Sequence, residues 1–194
     1  MKEGDGVSET GGKIRAFVCA APPAEVLTAI GAFLASLRSF RAFRWVGPEQ
    51  VHITLKFLGE SDAAAIQSLD TNLARMGGVR PFDVGLRGAG AFPNLSRPRV
   101  IWLGIDEGAE PLARLASRVD QAAKSASYEP EKRKFQPHLT LGRSRGEPAE
   151  VPGLAEALAS APDISWRCDC FILMKSVLTR QGPIYTPIRT YPLG

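Results

Sequence analysis

The sequence predicts an α+β fold of two pseudo-symmetric lobes, each a small, mostly antiparallel sheet backed by helices, with the active site in the cleft between them. Three observations predict it. Segments with the two-residue period of strands alternate with segments carrying an apolar stripe at helical spacing. Their order repeats: strand, helix, histidine strand, helix, strand, then strand, helix, histidine strand, short helix, strand. The 194-residue chain holds only two histidines, and both open the same phrase. One is Val51-His52-Ile53-Thr54-Leu55-Lys56-Phe57-Leu58, the other Pro137-His138-Leu139-Thr140-Leu141-Gly142-Arg143.

In chain order, residues 1–12 are polar and Gly-rich and read as a disordered leader preceding a single bilobal domain over residues 13–194. Lys13 to Ala20 alternates as a strand. Pro22-Pro23 opens a helix to about Leu37, with Val26, Leu27, Ile30, Phe33, Leu34 and Leu37 at helical spacing. A basic connection with Arg38, Arg41 and Arg44 and a turn at Trp45-Val46-Gly47-Pro48 lead into the first histidine strand. Ser61-Asp62 reads as the N-cap of a second helix from about Ala63 to Met76, closed by Gly77-Gly78. Phe82 to Gly88 is a strand, 91–96 a loop, and Val100 to Ile105 an apolar central strand. A helix from about Glu110 to Ser125, with Leu112, Leu115, Ala116, Val119 and Ala122 on one stripe, and a charged connection lead to the second histidine strand. A short helix over 154–159, one long strand over 164–174 and a last strand over 184–191 complete the chain.

Composition narrows the class. The apolar share of 44% and charged share of 23% are those of a globular protein, and every apolar run is too short to span a membrane. The N-terminus lacks the basic-then-apolar order of a signal peptide, which predicts a cytoplasmic protein. A net charge of +4 suits a polyanionic partner. Cys19, Cys168 and Cys170 read as small buried or half-buried thiols, because no zinc-ligand spacing joins them to the histidines.

The phrases themselves point to chemistry. Alternation puts His52, Thr54 and Lys56 on one face of a strand and Ile53, Leu55 and Phe57 on the other; His138 and Thr140 likewise share a face. Two imidazoles able to exchange protons near neutrality, with nitrogens roughly 5–7 Å apart around one group, leave room for a phosphate. One can deprotonate an attacking water or hydroxyl while the other protonates the departing oxygen. The threonine hydroxyls can donate to non-bridging oxygens. This in-line displacement needs neither metal nor cofactor, and no carboxylate cluster or activated nucleophile is visible.

With these phrases the chain resembles the 2H phosphoesterase superfamily, defined by two H-x-[ST]-x motifs. Within it, the chain is most similar to the RNA 2′,3′-cyclic phosphodiesterase family, historically called 2′-5′ RNA ligases. The added marks are Arg44-Trp45-Val46, Phe57-Leu58-Gly59-Glu60, Gly90-Ala91-Phe92-Pro93, Arg97 to Trp102 and Phe135-Gln136-Pro137-His138. The resemblance implies hydrolysis of terminal 2′,3′-cyclic phosphate to a 2′-phosphomonoester, with His52 as general acid, His138 as general base, and Thr54, Thr140 and Arg143 on the phosphate. It implies as partners RNA 3′ ends bearing a cyclic phosphate, tRNA fragments among them, handled by a monomer. Alternatives are 2′-5′ RNA joining or 2′-5′ linkage cleavage, opening of a cyclic ADP-ribose phosphate, and non-catalytic RNA-end binding.

Softer expectations surround this core. Strict alternation points Arg143 away from the cleft, although Gly142 permits a bulge that re-aims it. Phe57, Trp45 and Trp102 read as core, and Lys56 as bordering the cleft. Phe92 is the stacking candidate for a terminal base, ahead of Phe135 and Tyr185, and Arg97, Lys132, Arg133 and Lys134 are candidate RNA-backbone contacts.

Overall fold

The computed structural model describes residues 12–180 and 182–194. The leader expectation therefore falls, apart from Gly12, outside the described residues. The strands are β1 (Ile14–Ala20), β2 (Phe43–Trp45), β3 (Ile53–Ser61), β4 (Phe82–Phe92), β5 (Val100–Ile105), β6 (His138–Ser144), β7 (Ile164–Cys168), β8 (Cys170–Thr179) and β9 (Gly182–Pro192). The helices are α1 (Ala24–Leu37), α2 (Ala63–Ala74), α3 (Ala109–Lys124) and α4 (Leu154–Leu158).

The strands pair antiparallel in the order β7-β4-β5-β6-β3-β1-β8-β9, with β2 added to β6. The predicted lobes are the two ends of this curled sheet. Lobe one holds β3, β1, β8 and β9; lobe two holds β6, β5, β4 and β7. They meet where β3 pairs β6 at a single position, Ile53 opposite Leu139, both fully buried.

The helices pack beneath the sheet through the stripes read from the sequence. Val26, Ile30, Phe33, Leu34 and Leu37 of α1 are buried, as are Leu112, Leu115, Ala116 and Val119 of α3; Leu27 and Ala122 are only half-buried at the stripe edges, and Ala123 is buried in place of Ala122. Burying a large aliphatic side chain stabilises by about 1.5–3 kcal/mol, which is why the stripe outweighs the absence of side-chain caps. Placement crosses between lobes. The helix α1 follows β1 of lobe one but packs against β7 of lobe two. The helix α3 follows β5 of lobe two but packs on β3 of lobe one, beside α2. There Asn72 donates to the Ala122 carbonyl at 3.1 Å, and Asp70 accepts from the Tyr191 hydroxyl at 2.6 Å.

Three expectations change. The run over 164–174 is two strands parted at Asp169: β7 pairs β4 in lobe two, and β8 pairs β1 and β9 in lobe one. The buried positions shift from Trp166 and Cys168 to Phe171 and Leu173, but Cys170 to Met174 is apolar at every position, which hides the change of face. The strand β4 runs on through Phe92, where a loop was expected from residue 91. The basic connection contains a strand, β2, which takes over the edge of β6 where β3 leaves it. Phe43 anchors β2 in the core, the Trp45 indole donates to the Phe40 carbonyl at 3.1 Å, and the Val46 N–H donates to Leu141 at 2.9 Å.

Opposite Trp45 stands Gly142, and a Cβ there would lie 2.7 Å from the indole ring and 3.2 Å from the Arg44 carbonyl. Neither neighbour is free to yield. Gly142→Ala is expected to destabilise the fold by about 1–3 kcal/mol, the cost of overpacking, read as a lower urea midpoint at unchanged slope.

Candidate active site

The Ile53–Leu139 pair sets the register of the cleft. In an antiparallel ladder the flanking residues lie opposite one another and share the face that the buried pair does not use. His52 thus comes opposite Thr140, and Thr54 opposite His138. The two phrases form a two-by-two array of imidazole and hydroxyl about the pseudo-dyad.

Both imidazoles are held by the same local device. The Nδ1 of His52 lies 2.8 Å from the Gln50 carbonyl, and the Nδ1 of His138 lies 2.8 Å from the Gln136 carbonyl. A carbonyl can only accept, so Nδ1 carries the proton in each ring and Nε2 is left to act. Aromatic rings back both. The His52 ring stacks on Phe17 at 4.6 Å and meets the edge of Tyr185 at 5.3 Å. The His138 ring meets Phe92 at 5.2 Å, and Phe92 leans on Trp102.

The surroundings are unequal. Burial pushes the His52 imidazole below its ordinary 6.5; the hydrogen bond to Gln50 opposes this, and the charges of His138 and Arg143 add to it.

Along the strands, strict alternation fails in the same place on both phrases. Val18 is opposite Lys56 and Cys19 opposite Thr54, so Leu55 is an extra, unopposed residue. Ile101 is opposite Gly142 and Trp102 opposite Thr140, so Leu141 is its equivalent. Each bulge reverses the facing of the residues C-terminal to it. Lys56 turns inward and is only 6% exposed, its ammonium donating to Asp120 at 2.5 Å and to the Glu129 carbonyl at 2.6 Å. Burial alone would raise the Asp120 carboxyl, but the bonds from Lys56 and the Glu131 N–H, with the Lys56 charge, hold it below its usual range. Phe57 turns outward, 52% exposed, with the Arg15 guanidinium 4.7 Å over its ring. The expectations for Lys56 and Phe57 are therefore exchanged. Arg143 turns toward the cleft with the bulge at Leu141, while Gly142 itself serves the approach of Trp45.

A cavity of about 450 Å³ is lined by His52, Thr54, Thr140 and Arg143, together with Phe17, Phe57, Ser176, Leu178 and Tyr185. Arg15, Arg44 and Gln50 line it too, and no carboxylate among the described residues does. His138 lines a neighbouring, more open hollow of about 390 Å³ with Phe92, Trp102 and Gln136. Trp45 and Trp102 thus border these spaces rather than serving the core alone. Phe135 packs half-buried against the core, while Arg97, Lys132, Arg133 and Lys134 are exposed on loops outside both spaces. Burial raises the Cys19 and Cys168 thiols to about 12, which keeps them un-ionised at neutral pH. Among the described residues no helix is long and apolar enough to cross a membrane.

Several cavity residues escaped sequence reasoning, Arg44 and Gln50 among them. Arg44 sits in a strand too short to show a period. Gln50 donates to the Pro183 carbonyl at 2.6 Å and accepts from the Gly47 N–H at 2.9 Å, which ties the β8–β9 hairpin to the turn before His52. Only the folded chain brings positions 50 and 183 together.

A curled antiparallel sheet carrying this array is the architecture of a 2H phosphoesterase. The sequence profile of the 2′-5′ RNA ligase superfamily matches residues 22–180, and the chain belongs to that family. It is 40% identical over 143 residues to a protein of Aeropyrum pernix named RNA 2′,3′-cyclic phosphodiesterase, covering 72% of this chain and 80% of that one. A protein of the same name from Archaeoglobus fulgidus is 33% identical over 178 residues, covering 92% and 99%. The crystal structure of E. coli LigT complexed with 3′-AMP superimposes with a TM-score of 0.76 at 28% identity, covering 93% of this chain and 98% of that one.

In the free protein, the imidazole resonances of His52 are expected to titrate below pH 6.5, and inorganic phosphate should move the transition upward, because an anion favours the charged ring. Proton NMR, assigned with His52→Asn and His138→Asn, checks this.

Proposed function

We propose that the protein hydrolyses the 2′,3′-cyclic phosphate at RNA 3′ ends to a 2′-phosphomonoester by two-histidine acid–base catalysis that needs no metal. The observation that carries the reading is the matched pair of imidazoles, each with Nε2 free, flanked by the two threonines. The curated relatives' name and the nucleotide bound to LigT support the substrate class.

In this reading the Nε2 of His138 takes a proton from water as its oxygen attacks phosphorus. The bond from phosphorus to the 3′ oxygen breaks in line, and the Nε2–H of His52 protonates that oxygen. Thr54 and Thr140 donate to the non-bridging oxygens, and the Arg143 guanidinium offsets the charge that builds there. The cavity supports this order of roles. The leaving oxygen belongs to the nucleoside, and the enclosed space with Phe57 and Tyr185 lies on the His52 side. The open hollow beside His138 suits an entering water. Phe92, Arg97, Lys132, Arg133 and Lys134 would then meet the incoming strand outside the catalytic cavity. The substrates would be RNA ends such as tRNA fragments, turned over by a monomer in the cytoplasm.

Turnover of a 2′,3′-cyclic nucleotide in EDTA, with product analysis by phosphorus NMR, is the direct test. A 3′-phosphate product, or activity restored only by added metal, would count against the reading. His52→Ala and His138→Ala should each lower kcat/KM by about 10²–10⁴-fold. With a nitrophenyl phosphodiester, whose leaving group needs no proton, His52→Ala should recover most of its loss and His138→Ala should not. The opposite pattern would exchange the roles. Because burial depresses His52, one limb of the kcat/KM profile should lie below pH 6.5, and His52→Asn should abolish that limb.

A further inference from the structure

We infer that Arg44 and Arg143 together form a second phosphate site, which takes the phosphodiester on the 5′ side of the terminal nucleotide. The inference rests on the proposed cyclic phosphodiesterase reading and extends it to how much of the RNA is bound.

Arg44 and Arg143 stand directly opposite one another on β2 and β6, and both line the cavity. Like charges placed opposite in a ladder repel, so an anion between them relieves the repulsion. Among the described residues no protein group does so. Among the described residues neither arginine has an ion pair, and no carboxylate lines the cavity.

The register separates this pair from the scissile position. The array of His52, Thr54, His138 and Thr140 lies at the Ile53–Leu139 crossing. Arg44 faces position 143, which lies two rungs of the β5–β6 ladder beyond Thr140 because the bulge at Leu141 takes up one residue, and therefore about 7 Å away along the sheet. Arg143, on the same side, can reach toward either position. A chain with one phosphate at the crossing thus meets a guanidinium pair for its next phosphate.

The strand that carries Arg44 is rigidly seated. The Arg145 N–H donates to the Ala42 carbonyl at 2.9 Å, and its Nε donates to the Phe43 carbonyl at 3.1 Å. Trp45 is locked over Gly142. The Arg44 guanidinium therefore starts from a fixed backbone, which lowers the entropic cost of holding an anion. Arginine suits the task, since its planar fork matches two phosphate oxygens at once.

The experiment compares kcat/KM for three substrates: a 2′,3′-cyclic mononucleotide, a dinucleotide ending in the same cyclic phosphate, and that dinucleotide with an uncharged methylphosphonate linkage. The unaltered protein should favour the charged dinucleotide over the neutral one by roughly tenfold, as expected for a charge-assisted contact. Arg44→Ala should collapse that ratio toward one, and Arg44→Lys should retain part of it. Equal rates on charged and neutral linkages in the unaltered protein would overturn the inference without need of any variant. So would a ratio untouched by Arg44→Ala. In either case, turnover of the mononucleotide would leave the cyclic phosphodiesterase reading standing; failure to open all three substrates would bring down both.

Discussion

The structure depends on one residue pair. Among the described residues, Ile53 against Leu139 is the only position at which β3 and β6 share a ladder, and it lies at the heart of the apolar core. Had the lobes met one residue out of register, the period-two rule would have sent His52 and Thr54, or their twins, into the core. The apolar side chains of this pair are thus what fix the polar array on the other face. Burial supplies the energy, and the pleat converts it into the placement of four functional groups.

Much of this was legible in the chain. The alternation around His52 and His138 gives the correct facing as far as Thr54 and Thr140, because both stretches follow the regular pleat. The long helices were legible from their stripes, since Ile30, Leu34, Leu112 and Leu115 recur at helical spacing and are all buried. The repeated order of elements also maps onto the pseudo-dyad, from β1-α1-β3 to β5-α3-β6.

What failed did so for identifiable reasons. The bulges at Leu55 and Leu141 arise from mismatched neighbours, β1 and β5, and an extra residue in a ladder leaves no mark on local alternation. Lys56 was misplaced because its partner Asp120 is 64 residues away on α3. The break at Asp169 was hidden because Cys170 to Met174 is apolar throughout, so the change of buried face as the chain passes between lobes leaves no mark in the pattern. Arg44 gained its position from Phe43 and Trp45, whose anchoring contacts lie across the fold. Pattern within a strand was readable, and pairing between distant strands was not.

The crossed placement of the helices has a consequence for how the molecule comes apart. Apart from the short β2, the strands of lobe two lie within one continuous stretch, from Phe82 to Cys168. That stretch is nevertheless not autonomous, because α1 beneath it comes from outside, while its own α3 covers the neighbouring lobe. Loosening either half strips the cover from the other, so the two halves should melt as one cooperative unit. Stiffness of this kind favours a cleft that recognises its ligand by preformed fit over one that shuts upon it like a jaw.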